Sequence, residues 1–306
     1  MKVLVLCGPT GVGKTEVAVL LARKYDSDLV SADSRQVYSW LDIGTAKAGP
    51  EVRGQVHIHM IDLVEPSRKY SAADYARDAL AVMRRLTREG RRFMVVGGSG
   101  LYIRALFEPL FDAPKPDQRV RDRLACLDTA DLHARLERVD PERARALHPN
   151  DRQRVMRALE IYEQTGRTAT ELARRPRPAP EFEPVYVVLN VPRAELARRL
   201  DERFDAMMAA GFLDEVKRLK EAGFGLGDYV ANAYGYSELL KHLEDRLTLE
   251  QAVKLAKEKT RSYARRQLTW FRRLPAAKWV EVRTYEQAAE EAGAVLAEVQ
   301  GQSHKD

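Results

Sequence analysis

One octapeptide limits the choice of fold more than any other feature of the chain. GPTGVGKT, Gly8–Thr15, fits G-x-x-x-x-G-K-[ST] in full and follows directly on the apolar run Val3–Cys7. Glycines at this spacing let backbone N–H groups converge on phosphate oxygens. The helix expected from Lys14 to Tyr25 turns its N-terminus, worth roughly half a positive charge, on the same point. Lys14 adds a full charge, and the Thr15 hydroxyl suits Mg²⁺. Gly8, Pro9, Thr10, Gly11, Val12, Gly13, Lys14 and Thr15 are therefore the expected diphosphate- or nucleotide-binding residues, with Thr15 the expected metal ligand. The motif leaves open whose phosphates are held.

The pattern after the loop alternates strand with helix. Asp28–Asp33 reads as a second strand ending in a carboxylate, HIHMIDL (57–63) as a third, and RRFMVVGGSG (91–100) as a buried strand ending in glycines. Val185–Val191 is one more, and KWVEV (278–282) fits an edge strand. Between them SAADYARDALAVMRRLTREG is amphipathic, and residues 193–223 and 235–274 look helical. Such alternation predicts an α/β fold, a P-loop NTPase-like parallel sheet with helices on both faces. Ligands of such sheets sit at the carboxyl ends of the strands. Between residues 114 and 182 the strand pattern stops. Arg-rich helical segments there are bracketed by APKPD and RRPRPAPEFEP. We expect an inserted helical subdomain at 114–182, within a core formed by 1–113 and 183–300 that ends in basic helices.

Composition narrows the class further. The chain has 306 residues, 45% of them hydrophobic, and two cysteines. That length suggests about two domains, and two cysteines make neither a disulfide framework nor a zinc cluster. No apolar run approaches the roughly 20 residues of a membrane span. The apolar start fits a buried strand better than a signal peptide, so a cytoplasmic location and no membrane partner are expected. A monomer is expected too, since no additional apolar surface helix stands out. The net charge of +6 is unevenly placed: residues 254–273 hold eight Lys or Arg against one Glu. Such a block with Tyr263, Trp270 and Phe271 suits a polyanion, although a solvated helix face would read the same way.

FMVVGGSG lacks the terminal Asp that commonly accompanies ATP hydrolysis. The clear carboxylate at a strand end is Asp33, which reads as a metal organiser, a general base or a turn-capping residue.

Several strings now combine: ADSRQVY (32–38), DIGTAK (42–47), YSAADY (70–75), VGGSGLYIRAL (96–106), HPNDRQRVMRALEIYEQTGR (148–167), AYGYSEL (233–239) and RSYARRQLTWFRR (261–273). In order and spacing the chain resembles the bacterial tRNA dimethylallyltransferases, or tRNA isopentenyltransferases, from about residue 3 to about 282. The resemblance implies transfer of a dimethylallyl group from its diphosphate to the exocyclic amine of the adenosine just 3′ of the anticodon. It implies dimethylallyl diphosphate and a tRNA anticodon stem-loop as partners. Mg²⁺ at Thr15, suggested by the motif, is the expected cofactor. Asp33 matches the family's base, and Ser99 stands where the family usually has Thr. Lys14 joins them in catalysis, stabilising the departing diphosphate. Expected tRNA contacts are Asp33, Ser34, Arg35, Gln36, Ser99, Arg121, Arg152, Gln153, Arg154, Val155, Met156, Arg261, Arg265 and Arg266. DIGTAK either shapes the site beside Asp33 or is a turn that holds itself together. Besides Ser99, the chain departs from the family pattern in Ala48 for Pro, His57-Ile58-His59 for a His pair, and Asn232 where many relatives carry Arg. Arg203 and Arg193 are the candidates to replace that last charge. A P-loop kinase of a nucleoside or small metabolite shares the core but leaves the basic helix and the Arg-rich insertion unexplained. A non-catalytic RNA-binding NTPase leaves Asp33 and Ser99 unexplained.

Overall fold

The computed structural model describes residues 1–108, 113–175 and 179–302. Six strands form one sheet: β1 Lys2–Cys7, β2 Ser27–Ser31, β3 Ile58–His59, β4 Arg92–Gly97, β5 Glu183–Asn190 and β6 Lys278–Glu281. Their order is β3-β2-β4-β1-β5-β6, and every pairing is parallel. Parallel strands covered on both faces need apolar residues in both registers, and β1 shows it. Val3, Val5 and Cys7 enter one core with the helices Ala72–Arg88 and Gly100–Phe107. Leu4 and Leu6 enter another with the helices Lys14–Tyr25 and Tyr285–Gln302.

The third strand is shorter than expected. It stops at His59 because Met60 and Asp62 adopt φ of +66° and +55°, which no strand tolerates. The histidine pattern finds a local role here: His59 Nε2 lies 2.7 Å from Asp28 Oδ2, and Arg91 donates to Asp28 Oδ1 at 2.6 Å. The first contact ties the edge strand to β2, and the second ties β2 to the residue that precedes β4. The long helical stretches are also divided. Residues 193–223 split into Arg193–Ala209 and Phe212–Glu221 at Gly211, whose φ is +94°. Residues 235–274 split into Tyr236–Leu243 and Leu249–Phe271, the second opened by a Thr248 capping box. The helix Tyr285–Gln302 was not expected; it packs on Lys14–Tyr25.

The chain divides into two compact units, Met1–Glu108 with Pro180–Asp306, and Pro109–Ala179. The expected boundary at 182/183 falls slightly late, because Phe182 already packs edge-on against Phe93 of the sheet core. Pro176, Arg177 and Pro178 of the expected hinge lie outside the described residues. The second unit has its own core of Val120, Leu124, Leu132, Leu136, Val155 and Leu159. Its helices begin at Asp117, Asp128, Asp140, Asp151 and Thr168, each accepting a backbone N–H at its helix N-terminus. Such caps contribute about 1 kcal/mol each. Among the described residues, no helix is long and apolar enough to cross a membrane.

Candidate functional site

Strand register brings the loops together. Cys7 of β1 pairs with Gly97 of β4, and Val96 of β4 pairs with Ser31 of β2. The phosphate loop, Asp33 and Ser99 therefore leave neighbouring strands at one edge. Past the strand ends, Ser99 N–H donates to Ala32 O at 3.1 Å, and Ser34 N–H donates to Ser99 Oγ at 2.8 Å.

The phosphate loop has the conformation its glycines permit. Gly13 caps the following helix at φ +98°, and a β-carbon there would lie 2.4 Å from the Tyr285 ring. Lys14 Nζ donates to Pro9 O at 2.9 Å. Burial pulls its pKa down to about 8, with the negative charge of Asp33 opposing the shift. Arg203 Nη2 donates to Thr10 Oγ1 at 3.0 Å. Burial also lowers the Arg203 pKa, against the pull of Asp33 and Glu16. Thus Arg203 is the cation beside the loop, while Arg193 lies exposed at the start of its helix.

Asp33 does two things at once. Its Oδ1 accepts from the N–H groups of Arg35 at 2.8 Å and Gln36 at 3.3 Å, so it caps a turn. Its carboxylate also lines a cavity of about 500 Å³ together with Thr10, Gly11, Gly13, Lys14, Thr15 and Arg203. The same cavity has an apolar side made by Ala18, Leu29, Ile58, Ile61 and Val96. Gln36 faces it too, its Nε2 donating to Thr45 O at 3.2 Å.

DIGTAK is a self-supporting turn that also borders the cavity. Lys47 Nζ, nearly inaccessible, reaches Tyr38 O at 2.8 Å and Asp42 and Asp62 at 2.7 Å. The buried Glu215 carboxylate accepts from the N–H groups of Asp42, Ile43 and Gly44 and from Tyr236 Oη at 2.6 Å. Tyr236 belongs to the AYGY string, so two motifs far apart in sequence meet at one carboxylate. Thr45 and Ala46 line the cavity from this turn.

The expected RNA contacts divide by environment. Arg266 donates to Tyr234 Oη at 2.7 Å and lies 5.9 Å from the centroids of the Tyr234 and Tyr263 rings. Burial and the Asp33 charge push the Tyr263 phenol up to about 12. Arg265 is exposed and has no side-chain partner among the described residues. Arg261 instead pairs with both oxygens of Asp201 at 2.6 Å. Lys257 and Lys259 pair with Asp205 and Glu238, each at 2.6 Å. The cationic block is therefore partly neutralised within the protein.

In the helical unit, Gln153 and Arg154 are exposed, whereas Met156 is partly covered. Val155 is a correction: its side chain is fully buried in the unit's core and offers no surface to RNA. Arg152 donates to the carbonyls of Ala125 and Leu127 at 2.8 and 2.7 Å. Arg121 Nε lies 3.0 Å from the buried Glu160 carboxylate, which Arg157 also holds at 2.7 Å. These two arginines are bound into the unit's structure.

Sequence reasoning missed Gln267 and Tyr285. Gln267 Oε1 accepts from Thr10 N–H at 2.9 Å, and its Nε2 donates to Gly98 O at 2.7 Å. The signal available was a lone amide on the apolar stripe of Ala264 and Phe271. Tyr285 has no comparable signal, since nothing local ties it to Gly13.

Fold and site together define a P-loop protein in which the phosphate cradle and a strand-end carboxylate share one cavity. Residues 36–274 match the family model described as IPP transferase, and the chain belongs to that family. It is 42% identical over 290 residues to tRNA dimethylallyltransferase 2 of Geotalea uraniireducens, covering 92% of each chain. It is 39% identical over 293 residues to the tRNA dimethylallyltransferase of Thermotoga maritima, covering 95% of each. The full-length tRNA isopentenylpyrophosphate transferase of Bacillus halodurans superposes with a TM-score of 0.72 at 32% identity, over 99% of this chain and 98% of that one. A eukaryotic dimethylallyltransferase captured acting on tRNA gives a TM-score of 0.80 at 30% identity, over 92% of this chain and 73% of that one.

Proposed function

We propose that this chain transfers a dimethylallyl group from dimethylallyl diphosphate to the exocyclic amine of the adenosine 3′-adjacent to the anticodon in tRNA, releasing diphosphate. The observation that carries this reading is the single cavity containing both the phosphate loop and Asp33. A diphosphate leaving group has the charge and shape of the terminal phosphates of a nucleotide, so the loop accepts it unchanged. The carbon–oxygen bond breaks, a carbon–nitrogen bond forms, and the amine proton passes to Asp33. The adenine amine is a poor nucleophile until that proton begins to leave. A carboxylate ionised at neutral pH is suited to take it. Lys14, Arg203 and the loop N–H groups other than that of Thr10 stabilise charge as it develops on the departing diphosphate. The apolar side of the cavity receives the tail, whose five carbons contribute about 4 kcal/mol at roughly 0.8 kcal/mol each. Ser99, whose Oγ already accepts from Ser34, orients the base.

The oxygen chemistry of the site fits Mg²⁺, an ion that takes few protein ligands and completes its shell with phosphate and water. Thr15 lines the cavity, and no cluster of three or more His, Cys, Asp or Glu among the described residues offers a closed metal cage. Thr15 would hold the ion, which would supply charge neutralisation for the diphosphate. The exposed cations Arg154, Arg265 and Arg266 meet the RNA. A monomer acting in the cytoplasm is the accompanying reading.

Incubation with anticodon stem-loop RNA and dimethylallyl diphosphate, followed by nucleoside mass analysis, is expected to show one adenosine carrying one added dimethylallyl unit. Unmodified RNA together with turnover of added ATP would establish the kinase reading instead.

A further inference from the structure

The reaction above does not use Gln267, although its side chain is set between the two loops that carry the chemistry. Gln267 is 6% exposed on the helix Leu249–Phe271. Its amide accepts from Thr10 N–H at 2.9 Å and donates to Gly98 O, the residue before Ser99, at 2.7 Å. A carboxamide offers an acceptor and a donor in one plane. Here each faces a complementary backbone group, so the orientation of the amide is set by its partners. Three residues further on, the Trp270 ring packs on Gly100, where a β-carbon would lie 2.4 Å from the indole. One face of this helix thus holds the Ser99 loop on both sides and the phosphate loop at Thr10. The Thr10 N–H is committed to the amide and withheld from phosphate.

We propose that Gln267 is a positioning residue that sets the separation between the diphosphate cradle and the base-orienting loop, and so aligns leaving group and acceptor amine. The proposal rests on the prenyl-transfer reading. Reacting atoms must be held about 3–3.5 Å apart, and a misplacement of about 1 Å can lower a rate by about 10². Gln267 is not among the residues that line the cavity. Its removal is therefore expected to act on the joint geometry and to leave each binding site in place.

The test uses the full chain, inorganic pyrophosphate and anticodon stem-loop RNA as separate binding probes, and single-turnover transfer at saturating substrates. Gln267→Met keeps the length and loses both hydrogen bonds. Gln267→Asn keeps the amide but is one methylene too short to reach both partners, and it serves as the milder variant should the first fail to fold. Both are expected to keep each dissociation constant within about threefold and to slow the single turnover by about 10- to 100-fold. A single-turnover rate within threefold of the parent overturns the proposal. So does a parallel loss of pyrophosphate and RNA affinity that accounts for the whole decrease. Failure of the parent protein to prenylate the RNA would instead overturn the underlying reaction.

Discussion

At Lys14 and Asp33 the same cavity imposes two different demands. In the proposed reaction Lys14 must be charged to hold diphosphate, yet burial pulls its pKa to about 8. Below that pH the ammonium is present; above it the free protein carries a neutral amine and must take up a proton to bind. Pyrophosphate affinity is therefore expected to fall as pH rises through 8, approaching tenfold per unit beyond it. Calorimetric titration from pH 7 to 9.5 measures this, with Lys14→Arg as the comparison because guanidinium does not titrate there. An identical pH slope in both proteins would remove Lys14 as its source. Asp33 accepts two backbone N–H groups on one oxygen, and the proposed reaction assigns the other oxygen to the substrate amine. Asp33→Asn retains an oxygen for the Arg35 and Gln36 N–H groups and loses the base. Its single-turnover rate is expected to fall by about 10² or more, with RNA affinity nearly intact.

At the scale of single elements, the helix Leu249–Phe271 joins two functions. Its inward face places Gln267 and Trp270 on the loops that carry Thr10, Gly98 and Gly100, while its outward face carries the cations. Three of those cations are already paired: Lys257, Lys259 and Arg261. A charge already neutralised by the protein displaces few counterions from RNA, whereas an unpaired one displaces nearly its full share. Arg265→Ala is expected to weaken stem-loop binding and flatten the plot of log K against log salt by about 0.7–0.9. Arg261→Ala should leave that slope unchanged; equal slope changes in the two variants would contradict the division. The sequence was informative here about charge but not about pairing. Asp201, Asp205 and Glu238 lie on other helices, and no local pattern announces that they meet this one. Strands were easier to read, because Val3–Cys7 and Val185–Val191 are apolar in both registers. β3 was overestimated because its apolar string continues past His59 while the backbone turns left-handed at Met60 and Asp62.

Across the whole molecule, the sheet gathers residues that are distant in sequence onto one edge. The phosphate loop could be read beforehand because it sits just beyond a plain apolar strand, whereas the strand before Asp33 offers only Leu29 and Val30, and the roles expected of Asp33 and Ser99 came from the family resemblance. Gln267, Tyr285 and the position of Arg203 could not be read, because they reach the loop from helices packed after the strands align. That arrangement makes the phosphate loop a junction: its Gly13 meets the Tyr285 ring, its Thr10 meets Arg203 and Gln267, and its helix packs on Tyr285–Gln302. A ligand seated there should stabilise the unit that carries it, by about 2.7 kcal/mol at a concentration one hundred times its dissociation constant. Inorganic pyrophosphate is therefore expected to raise the melting temperature of the parent protein by several degrees, and to do the same for Asp33→Asn. Lys14→Ala should lose most of the increase, because it removes the charge the ligand needs while leaving the sheet intact. Differential scanning calorimetry of the three proteins, with and without pyrophosphate, distinguishes these outcomes. Equal shifts in all three would place the anion away from the octapeptide, and the leaving-group role assigned to the loop would then be wrong.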